Sequence, residues 1–482
     1  MRLARRVVLP LVLGAAPTAC TPLLLDLDRG GKGGGDPAPD SGAPDSADPD
    51  SGDSGGSEPP PGAAAIWSIV PVDAAPAFGA GVAGSALWVF VGDPGADNGD
   101  GLVGAFRPPE DGRDTLTLED ATYRLRGDDR DALGCAVLLD APAEWLAVAA
   151  CAADTRSEQA EDAGEVHLLP VAELRVGDIP LADTARTVLV GEYDGGALGA
   201  AVAFGDLDGD GFSDLLAGAP GEDDGAGRVR LLPGPFFPGA VAGRDAPWSM
   251  RGDTSGEGLG SFLDVADLDG DGRDELITCG PGERRSGRRV GVCVVVAGQA
   301  EWLLDDGPAA ELEAVRFSGT ADHALPTPRA AFSCAGPARA CDEAEGPRTW
   351  WVADPAAGEG EGAVWWASLA VPWPARLGPT DGAGLVRGAG GLGAGLRVVD
   401  GDRVLASAPQ DGPGGVLFLL DASAAGGAPE RFAEAPPGDV GLGEPLVPLS
   451  PALLATGVAR HPGAPAGSPG VRIWNVNGLW GD

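Results

Sequence analysis

Positive charge and long apolar runs are both scarce in this chain of 482 residues. Lysine and arginine together number 33 against 72 aspartates and glutamates, which gives a formal net charge of −39 at pH 7. A surface of this charge repels phosphate backbones, so we do not expect nucleic acid as a partner. The apolar run near the N-terminus and all later runs are shorter than the ~20 residues that a membrane-spanning helix needs.

Two motifs that are typical of metal-dependent and nucleotide-dependent enzymes are also lacking. The chain contains no HExxH metal motif and no phosphate-binding loop of the GxxxxGK type. It has no CxxC, and its three histidines, His167, His323 and His461, lie far apart in the sequence, so a zinc site is not expected. We therefore predict that the protein is not an enzyme.

The N-terminus has the features of an export signal. Residues 1–19 combine a basic start, a short apolar run and small residues before Cys20. This segment resembles a bacterial lipoprotein signal, in which Cys20 is lipidated and becomes the first residue, although Pro17 departs from the usual pattern. The alternatives are a plain secretory signal and an unprocessed Cys20. Residues 20–62 are rich in Pro, Gly, Ser and Asp, which predicts an acidic, disordered tether.

The rest of the chain, residues 63–482, is built from repeats. The phrase "LGAAVAFGDLDGDGFSDLLAGAP" from Leu198 returns as "LGSFLDVADLDGDGRDELITCGP" from Leu259, and related phrases start near 78, 133, 327, 392 and 442. Strands such as "TYRLRG" and "PWSMRG" precede most copies. Each of the seven copies therefore predicts four short strands, which is one blade of a β-propeller.

These units resemble FG-GAP repeats, the building blocks of the seven-bladed β-propeller of integrin α-subunits. The resemblance implies an all-β, integrin-α-like propeller. The seventh copy supplies only three strands before the chain stops, while "AIWSIVP" at 65–71 precedes the first copy. Because a closed ring removes open sheet edges, we predict that residues 66–70 complete the last blade by pairing near 471–476.

Two acidic loops stand out within the third and fourth copies. Alternating carboxylates followed by a turn glycine converge on one centre only if the backbone curls around it, and oxygen-only ligands suit Ca²⁺. We therefore predict two calcium sites. The ligands of the first are Asp206, Asp208, Asp210, the carbonyl of Phe212 and Asp214, and those of the second are Asp267, Asp269, Asp271, the carbonyl of Arg273 and Glu275.

An EF-hand begins in the same way but ends with a bidentate Glu at position twelve between two helices. Position twelve here is Ala217 or Thr278, and the flanks read as strands, so the EF-hand is excluded. In the integrin-like arrangement each loop links the first and second strands of its blade. A solvated acidic hairpin without an ion is the alternative.

Six cysteines remain besides Cys20. Fifteen pairings are possible, but the blade arrangement favours pairs within one repeat. These are Cys135 with Cys151, Cys279 with Cys293, and Cys334 with Cys341.

Taken together, these features predict a calcium-binding, exported lipoprotein of the outer membrane, on its periplasmic or cell-surface side. A lipid anchor would hold it to the membrane, and the propeller would serve as a binding or adhesion module for a protein or polysaccharide. An extracytoplasmic enzyme with its site on the propeller face and a structural envelope protein are the alternatives.

Overall fold

The computed structural model describes most of the repeat region. The described residues are 64–71, 77–140, 144–155, 160–181, 184, 187–282, 284–285, 288–299, 306–312, 315–319, 329–334, 348–369, 376–377, 384–388, 390–400, 403–411, 414–423, 430–434, 442–450, 452–458 and 470–476. The predicted signal (1–19), Cys20, the tether (20–62) and Cys341 lie outside them.

The described residues are mostly β-strand. The first strand is β1 (Ala64–Val70). Repeat 1 contains β2 (Val82–Gly84), β3 (Val89–Asp93), β4 (Leu102–Phe106), β5 (Thr115–Thr117) and β6 (Tyr123–Arg126). Repeat 2 contains β7 (Leu133–Leu139), β8 (Trp145–Ala150), β9 (Glu165–Pro170), β10 (Gly177–Pro180) and β11 (Thr187–Val190). Repeat 3 contains β12 (Ala201–Gly205), β13 (Asp214–Ala219), β14 (Arg228–Leu232), β15 (Gly239–Ala242) and β16 (Trp248–Arg251).

The later repeats continue the pattern. Repeat 4 contains β17 (Phe262–Ala266), β18 (Glu275–Gly280), β19 (Arg284–Arg285), β20 (Arg288–Arg289), β21 (Val292–Val296), β22 (Asp306–Pro308) and β23 (Val315–Ser318). Repeat 5 contains β24 (Arg329–Cys334), β25 (Arg348–Asp354), β26 (Ala363–Leu369), β27 (Arg376–Leu377) and β28 (Gly384–Arg387). Repeat 6 contains β29 (Leu396–Asp400), β30 (Arg403–Ala408), β31 (Val416–Asp421) and β32 (Glu430–Glu434). Repeat 7 contains β33 (Leu442–Ser450), β34 (Leu453–Val458) and β35 (Val471–Asn475).

Helical segments are short and connect strands. They include the α-helical turns α1 (Glu222–Gly225), α2 (Ala309–Leu312) and α3 (Ala357–Gly360), and the 3₁₀ turns Ala96–Gly99, Leu118–Asp120, Val171–Glu173 and Gly243–Asp245. Among the described residues, no helix has the length and apolar character that crossing a bilayer requires.

The strands form a seven-bladed β-propeller, as predicted. In each repeat the first, second, third and last strands are neighbours in one sheet, as in β7-β8-β9-β11 and β12-β13-β14-β16. The seventh sheet takes its fourth strand from the N-terminus, in the order β33-β34-β35-β1. Strand β1 runs antiparallel to β35, with Trp67 opposite Ile473 and Ile69 opposite Val471. The ring is therefore closed by the segment that the sequence indicates.

Five of the sheets contain a fifth strand that the sequence did not predict. In each case a short strand from the following repeat pairs in parallel with the outermost strand: β5 with β1, β10 with β6, β15 with β11, β22 with β16, and β27 with β23. These strands have only two to four residues and carry no alternating apolar pattern. Sequence periodicity cannot reveal such a strand, because the neighbouring blade provides its pairing partner.

The hydrophobic core is divided among the blade interfaces. Seven clusters of buried side chains lie between consecutive blades, including one between blade 7 and blade 1. Side chains of a strand alternate between its two faces, so neighbouring residues serve different interfaces. Trp350 packs towards blade 4 with Phe317, whereas Trp351 packs towards blade 6 with Val404. Both faces of a blade therefore lie in an interface, which explains why the second strands β13 and β18 are apolar on both faces.

A repeated backbone contact accompanies the apolar packing. The N–H of the leucine that opens a repeat donates to a carbonyl two residues before the third strand of the preceding blade, at 2.8–3.1 Å. The pairs are Leu133 with Asp100, Leu198 with Ala163, Leu259 with Ala226, Leu392 with Glu361, and Leu442 with Gly414. All five leucine side chains are fully buried. We call this contact the inter-blade latch.

Two disulfides lie inside blades. Cys135 bonds to Cys151 in blade 2, and Cys279 bonds to Cys293 in blade 4. Cys279 and Cys293 face each other on the neighbouring strands β18 and β21. Cys334 ends β24, while its predicted partner Cys341 lies outside the described residues.

Closure of the ring by β1 can be tested on a single strand. Ile69 is fully buried between blades 7 and 1, whereas Ile66 of the same strand is 41% exposed. Replacing Ile69 by Ala should lower the free energy of unfolding by about 2 to 4 kcal/mol, because it leaves a cavity. Ile66→Ala should cost less than about 1 kcal/mol. Chemical denaturation measures both, and equal effects would contradict docking of β1.

The inter-blade latch has a matched test at two glycines. Gly227 (φ +83°) and Gly195 (φ +65°) both adopt the left-handed conformation. A Cβ on Gly227 would lie 2.2 Å from the Leu259 carbonyl oxygen, whereas a Cβ on Gly195 would meet nothing within 4 Å. Both alanine variants should lose about 1 kcal/mol from the backbone strain. Gly227→Ala should lose at least about 2 kcal/mol more, measured by denaturation, and similar losses would exclude a tight latch.

Candidate metal centres

The two acidic loops occupy equivalent positions in neighbouring blades. Loop 1 (206–213) joins β12 to β13 in blade 3, and loop 2 (267–274) joins β17 to β18 in blade 4. Each therefore links the first and second strands of its blade. The ninth position of each loop pattern, Asp214 or Glu275, is the first residue of the second strand.

The backbone of both loops curls in the same way. Residues four and six of each pattern are glycines with φ between +77° and +87°, a conformation that other residues rarely adopt: Gly209, Gly211, Gly270 and Gly272. The leucine at position two is fully buried in both loops and anchors the turn (Leu207 and Leu268). The DLDGDG sequence thus folds because an apolar anchor and two permissive glycines alternate with the acids.

Four hydrogen bonds of loop 1 recur in loop 2. The carboxylate at position one accepts from the N–H groups of positions four and six, at 2.8 and 2.9 Å for Asp206 and at 2.7 and 3.0 Å for Asp267. Position three accepts from the N–H of position five at 3.1 Å in both loops. Position five accepts from the N–H of position seven, which is Phe212 at 2.8 Å or Arg273 at 2.9 Å.

The ninth residue is held from two sides. Asp214 accepts from the N–H groups of Leu207 and Gly234, both at 3.0 Å. Glu275 accepts from the N–H groups of Leu268 at 2.6 Å and Gly298 at 3.3 Å. The glycine comes from the segment that follows the third strand, so each loop is fixed to its own blade.

Carboxylate oxygens converge in both loops. Oxygens of Asp206, Asp208 and Asp210 lie within 4.8 Å of one another, and so do oxygens of Asp267, Asp269 and Glu275. In the part of the chain that the structure describes, no other group of three His, Cys, Asp or Glu residues meets this distance. An all-oxygen donor set of this kind fits a hard cation such as Ca²⁺.

The remaining predicted ligands lie beside these groups. Asp214 begins β13 next to loop 1, and Asp271 pairs with the guanidinium of Arg273 at 2.6 Å. Phe212 and Arg273 occupy position seven, and the Phe212 side chain is 52% exposed. The Asp271–Arg273 ion pair is partly exposed, and such pairs contribute about 1 kcal/mol at most. A cation could therefore displace it at little cost.

Burial and like charge disfavour ionisation of the inner carboxyls. Asp214 and Glu275 are each only 1% exposed. Burial, followed by the negative charges of Asp208 and Asp206, raises the pKa of Asp214 to about 7. Burial, followed by Asp269 and Asp267, raises the pKa of Glu275 to about 7. Burial also raises the pKa of Asp208.

One feature of this region was not predicted from the sequence. Asp274, at position eight of loop 2, accepts a hydrogen bond from the N–H of Asp206 at 2.8 Å, so the two loops are in direct contact. Ser213 holds the equivalent position in loop 1. The only signal for this role is the departure of loop 2 from loop 1 at that position.

Comparison with known proteins agrees with the repeat assignment. Residues 198–232, which contain loop 1 and the first three strands of blade 3, match the model of the FG-GAP repeat. No curated protein matches the chain.

Several solved structures are similar in shape. The WD40 domain of coronin from Toxoplasma gondii is 11% identical with a TM-score of 0.48, over 86% of this chain and 83% of that one. The Dos1 propeller is 11% identical with a TM-score of 0.44, over 82% of this chain and 76% of that one. The strand order identifies the chain as a seven-bladed β-propeller, and the match identifies its third repeat, residues 198–232, as an FG-GAP repeat.

Proposed function

We propose that the protein is a calcium-stabilised propeller that acts as a binding module outside the cytoplasm. The observation that supports calcium binding is the recurrence, in two neighbouring blades, of one acidic loop with four shared hydrogen bonds. Three carboxylates converge in each loop, those of positions one and three together with position five in loop 1 or position nine in loop 2. A solvated acidic hairpin has no physical reason to keep four carboxylates on one turn twice. A dication gives that reason because it offsets their mutual repulsion.

Calcium is favoured over other cations by the donor set. All the side-chain donors are carboxylates, which hard cations prefer, and neither histidine nor cysteine belongs to either group. Curled loops that also offer backbone carbonyls, here those of Phe212 and Arg273, suit the larger and more flexible shell of Ca²⁺ better than the octahedral shell of Mg²⁺. Dissociation constants on the order of 10⁻⁴ to 10⁻³ M are typical of extracellular calcium modules.

The bound ions would act on stability rather than on chemistry. Each loop joins the first and second strands of its blade. Asp214 and Glu275 connect the loop by hydrogen bonds to the segment after the third strand. An ion shared by the loop carboxylates would therefore fix three segments of one blade. Blades 3 and 4 would be the parts of the ring that depend on calcium.

Calorimetry with calcium tests this function. The parent protein should bind two ions, Asp208→Ala and Asp269→Ala one each, and the double variant none. At 10 mM Ca²⁺, each site should add about 1.4 to 2.7 kcal/mol to the free energy of unfolding, so chelator should lower the melting temperature of the parent but not of the double variant.

The control for lost negative charge is Asp111→Ala. Asp111 is an exposed aspartate outside both loops, so this variant should still bind two ions. A parent protein that binds no calcium in the millimolar range would contradict the proposal.

A binding role for the propeller is supported by exposed aromatic side chains near loop 1. Phe212 of loop 1 is 52% exposed and Phe237 is 73% exposed. Phe237 belongs to the segment 233–238, whose Gly234 donates to Asp214 and packs against Phe212. Exposed aromatics of this size are typical anchors for proteins and sugars.

Retention of a ligand can separate the three classes of function. Immobilised protein is incubated with envelope polysaccharides and envelope proteins. A binding module should retain a specific ligand and lose it in Phe212→Ala and Phe237→Ala, but not in Leu87→Ala, which removes a large exposed side chain elsewhere. Conversion of the ligand to a product would favour an enzyme, and no retention would favour a structural role.

The membrane anchor rests on the sequence around Cys20. We propose that Cys20 is acylated and that residues 20–62 hold the propeller away from the bilayer. Cells that express the protein should incorporate a labelled fatty acid into it. Cys20→Ser should abolish the label, and a label that persists in this variant would exclude the anchor.

A further inference from the structure

The two loops are joined by a reciprocal pair of hydrogen bonds. The N–H of Asp206, which opens loop 1, donates to the carboxylate of Asp274 at 2.8 Å. The N–H of Asp274 in turn donates to the carbonyl oxygen of Asp206 at 2.8 Å. Both polar backbone groups of the first residue of loop 1 are therefore held by one residue of loop 2.

A second contact joins the loops through the segment after β21. The N–H of Gln299 donates to the carbonyl of Leu207 in loop 1 at 2.9 Å. The adjacent Gly298 donates to the Glu275 carboxylate of the other centre. The approach is close, because a Cβ on Gly298 would lie 2.7 Å from the Asp274 carbonyl oxygen and 2.8 Å from that of Leu207. One short segment of blade 4 thus contacts both centres.

We propose that the two centres are thermodynamically coupled, so that a cation in one loop raises the affinity of the other, with Asp274 as the positioning residue. This inference rests on the proposed calcium binding. Asp274 lies between Arg273 and Glu275, which are both predicted ligands of loop 2. An ion that fixes Asp206 fixes the partner of Asp274 and thereby the ends of the second centre.

The sign of the coupling follows from two opposing terms. Each ion reduces the negative potential at the other site, which disfavours the second ion, but each pattern carries four carboxylates against one dication, so neither occupied loop becomes positive. Ions in exposed loops are also screened by salt beyond about 8 to 10 Å. Ordering of the shared contacts, by contrast, occurs once for both ions, and this favours the second ion.

Calcium titration of the full chain at 0.15 M salt measures the coupling. The parent should bind two ions with a Hill coefficient above 1. Asp208→Ala, which disables loop 1, should leave loop 2 with an affinity about 5- to 10-fold weaker than that of loop 2 in the parent when loop 1 is occupied. Asp269→Ala should weaken loop 1 by the same factor, because coupling between two sites is reciprocal.

Substitutions at Asp274 separate coupling from stability. Asp274→Ala removes the acceptor of the Asp206 N–H, so two ions should still bind but with a Hill coefficient of 1. Asp274→Asn keeps an acceptor oxygen and should keep the coupling. Loss of the negative charge alone would not give this difference, because both variants remove the same charge.

The outcomes distinguish this inference from the proposed function. If the parent binds no calcium, both fail. If it binds two ions and each single-loop variant leaves the affinity of the other loop unchanged, calcium binding stands and the coupling is overturned, whether or not Asp274→Ala folds. A Hill coefficient above 1 that persists in Asp274→Ala would overturn the role of Asp274.

Discussion

The fold depends on how each blade is fixed to the next one. A propeller has no central layer, so its stability resides in the interfaces between consecutive sheets. Each of the seven interfaces has an apolar cluster, and in the described part of the chain five of them also have the inter-blade latch. The latch needs a buried leucine at the start of a repeat and a glycine opposite it in the preceding blade, where the backbones come within contact. Leu259 and Gly227 form one such pair through a parallel backbone bridge. The short sequence motifs that recur in each repeat therefore mark the positions where two blades are in contact.

The same constraint explains which parts of the fold could be predicted from the sequence. Leu198 and Leu259 recur because the latch requires them, and apolar runs such as β13 and β18 recur because both of their faces are buried. The number of blades and the closing role of β1 could be predicted from these recurrent motifs. The parallel fifth strands did not, because strands such as β22 and β27 consist of two or three residues whose partners lie in another blade.

In the candidate metal centres, too, local features could be predicted from the sequence and contacts between blades could not. The alternation of acids and glycines defines the loops within one short segment, so the converging carboxylates could be expected from local sequence alone. Contacts made across blades could not, because Asp274 is one more acidic residue in an acidic loop until blade 4 is placed against blade 3. Likewise, the ion pair of Asp271 with Arg273 depends on side-chain positions that spacing does not determine.

Loop length distinguishes loops 1 and 2 from the corresponding links of four other blades. The link between the first and second strands has four residues in blade 1 (85–88), five in blade 2 (140–144) and two in blades 6 and 7. Such links are closed by local bonds: Ser85 donates its N–H to the carbonyl of Trp88, and the Asp140 carboxylate accepts from the N–H groups of Glu144 and Trp145.

Loops 1 and 2 have eight residues each, which is too long for one turn to hold. Their backbone N–H groups instead turn inward onto the carboxylates of positions one, three and five. Oxygens of positions one and three lie close to a third carboxylate, that of position five in loop 1 and that of position nine in loop 2. Further protein donors at that centre would require still more chain, whereas a single dication can contact several oxygens at once. The proposed cation would therefore hold the longer loop together, as a turn holds the short loops together.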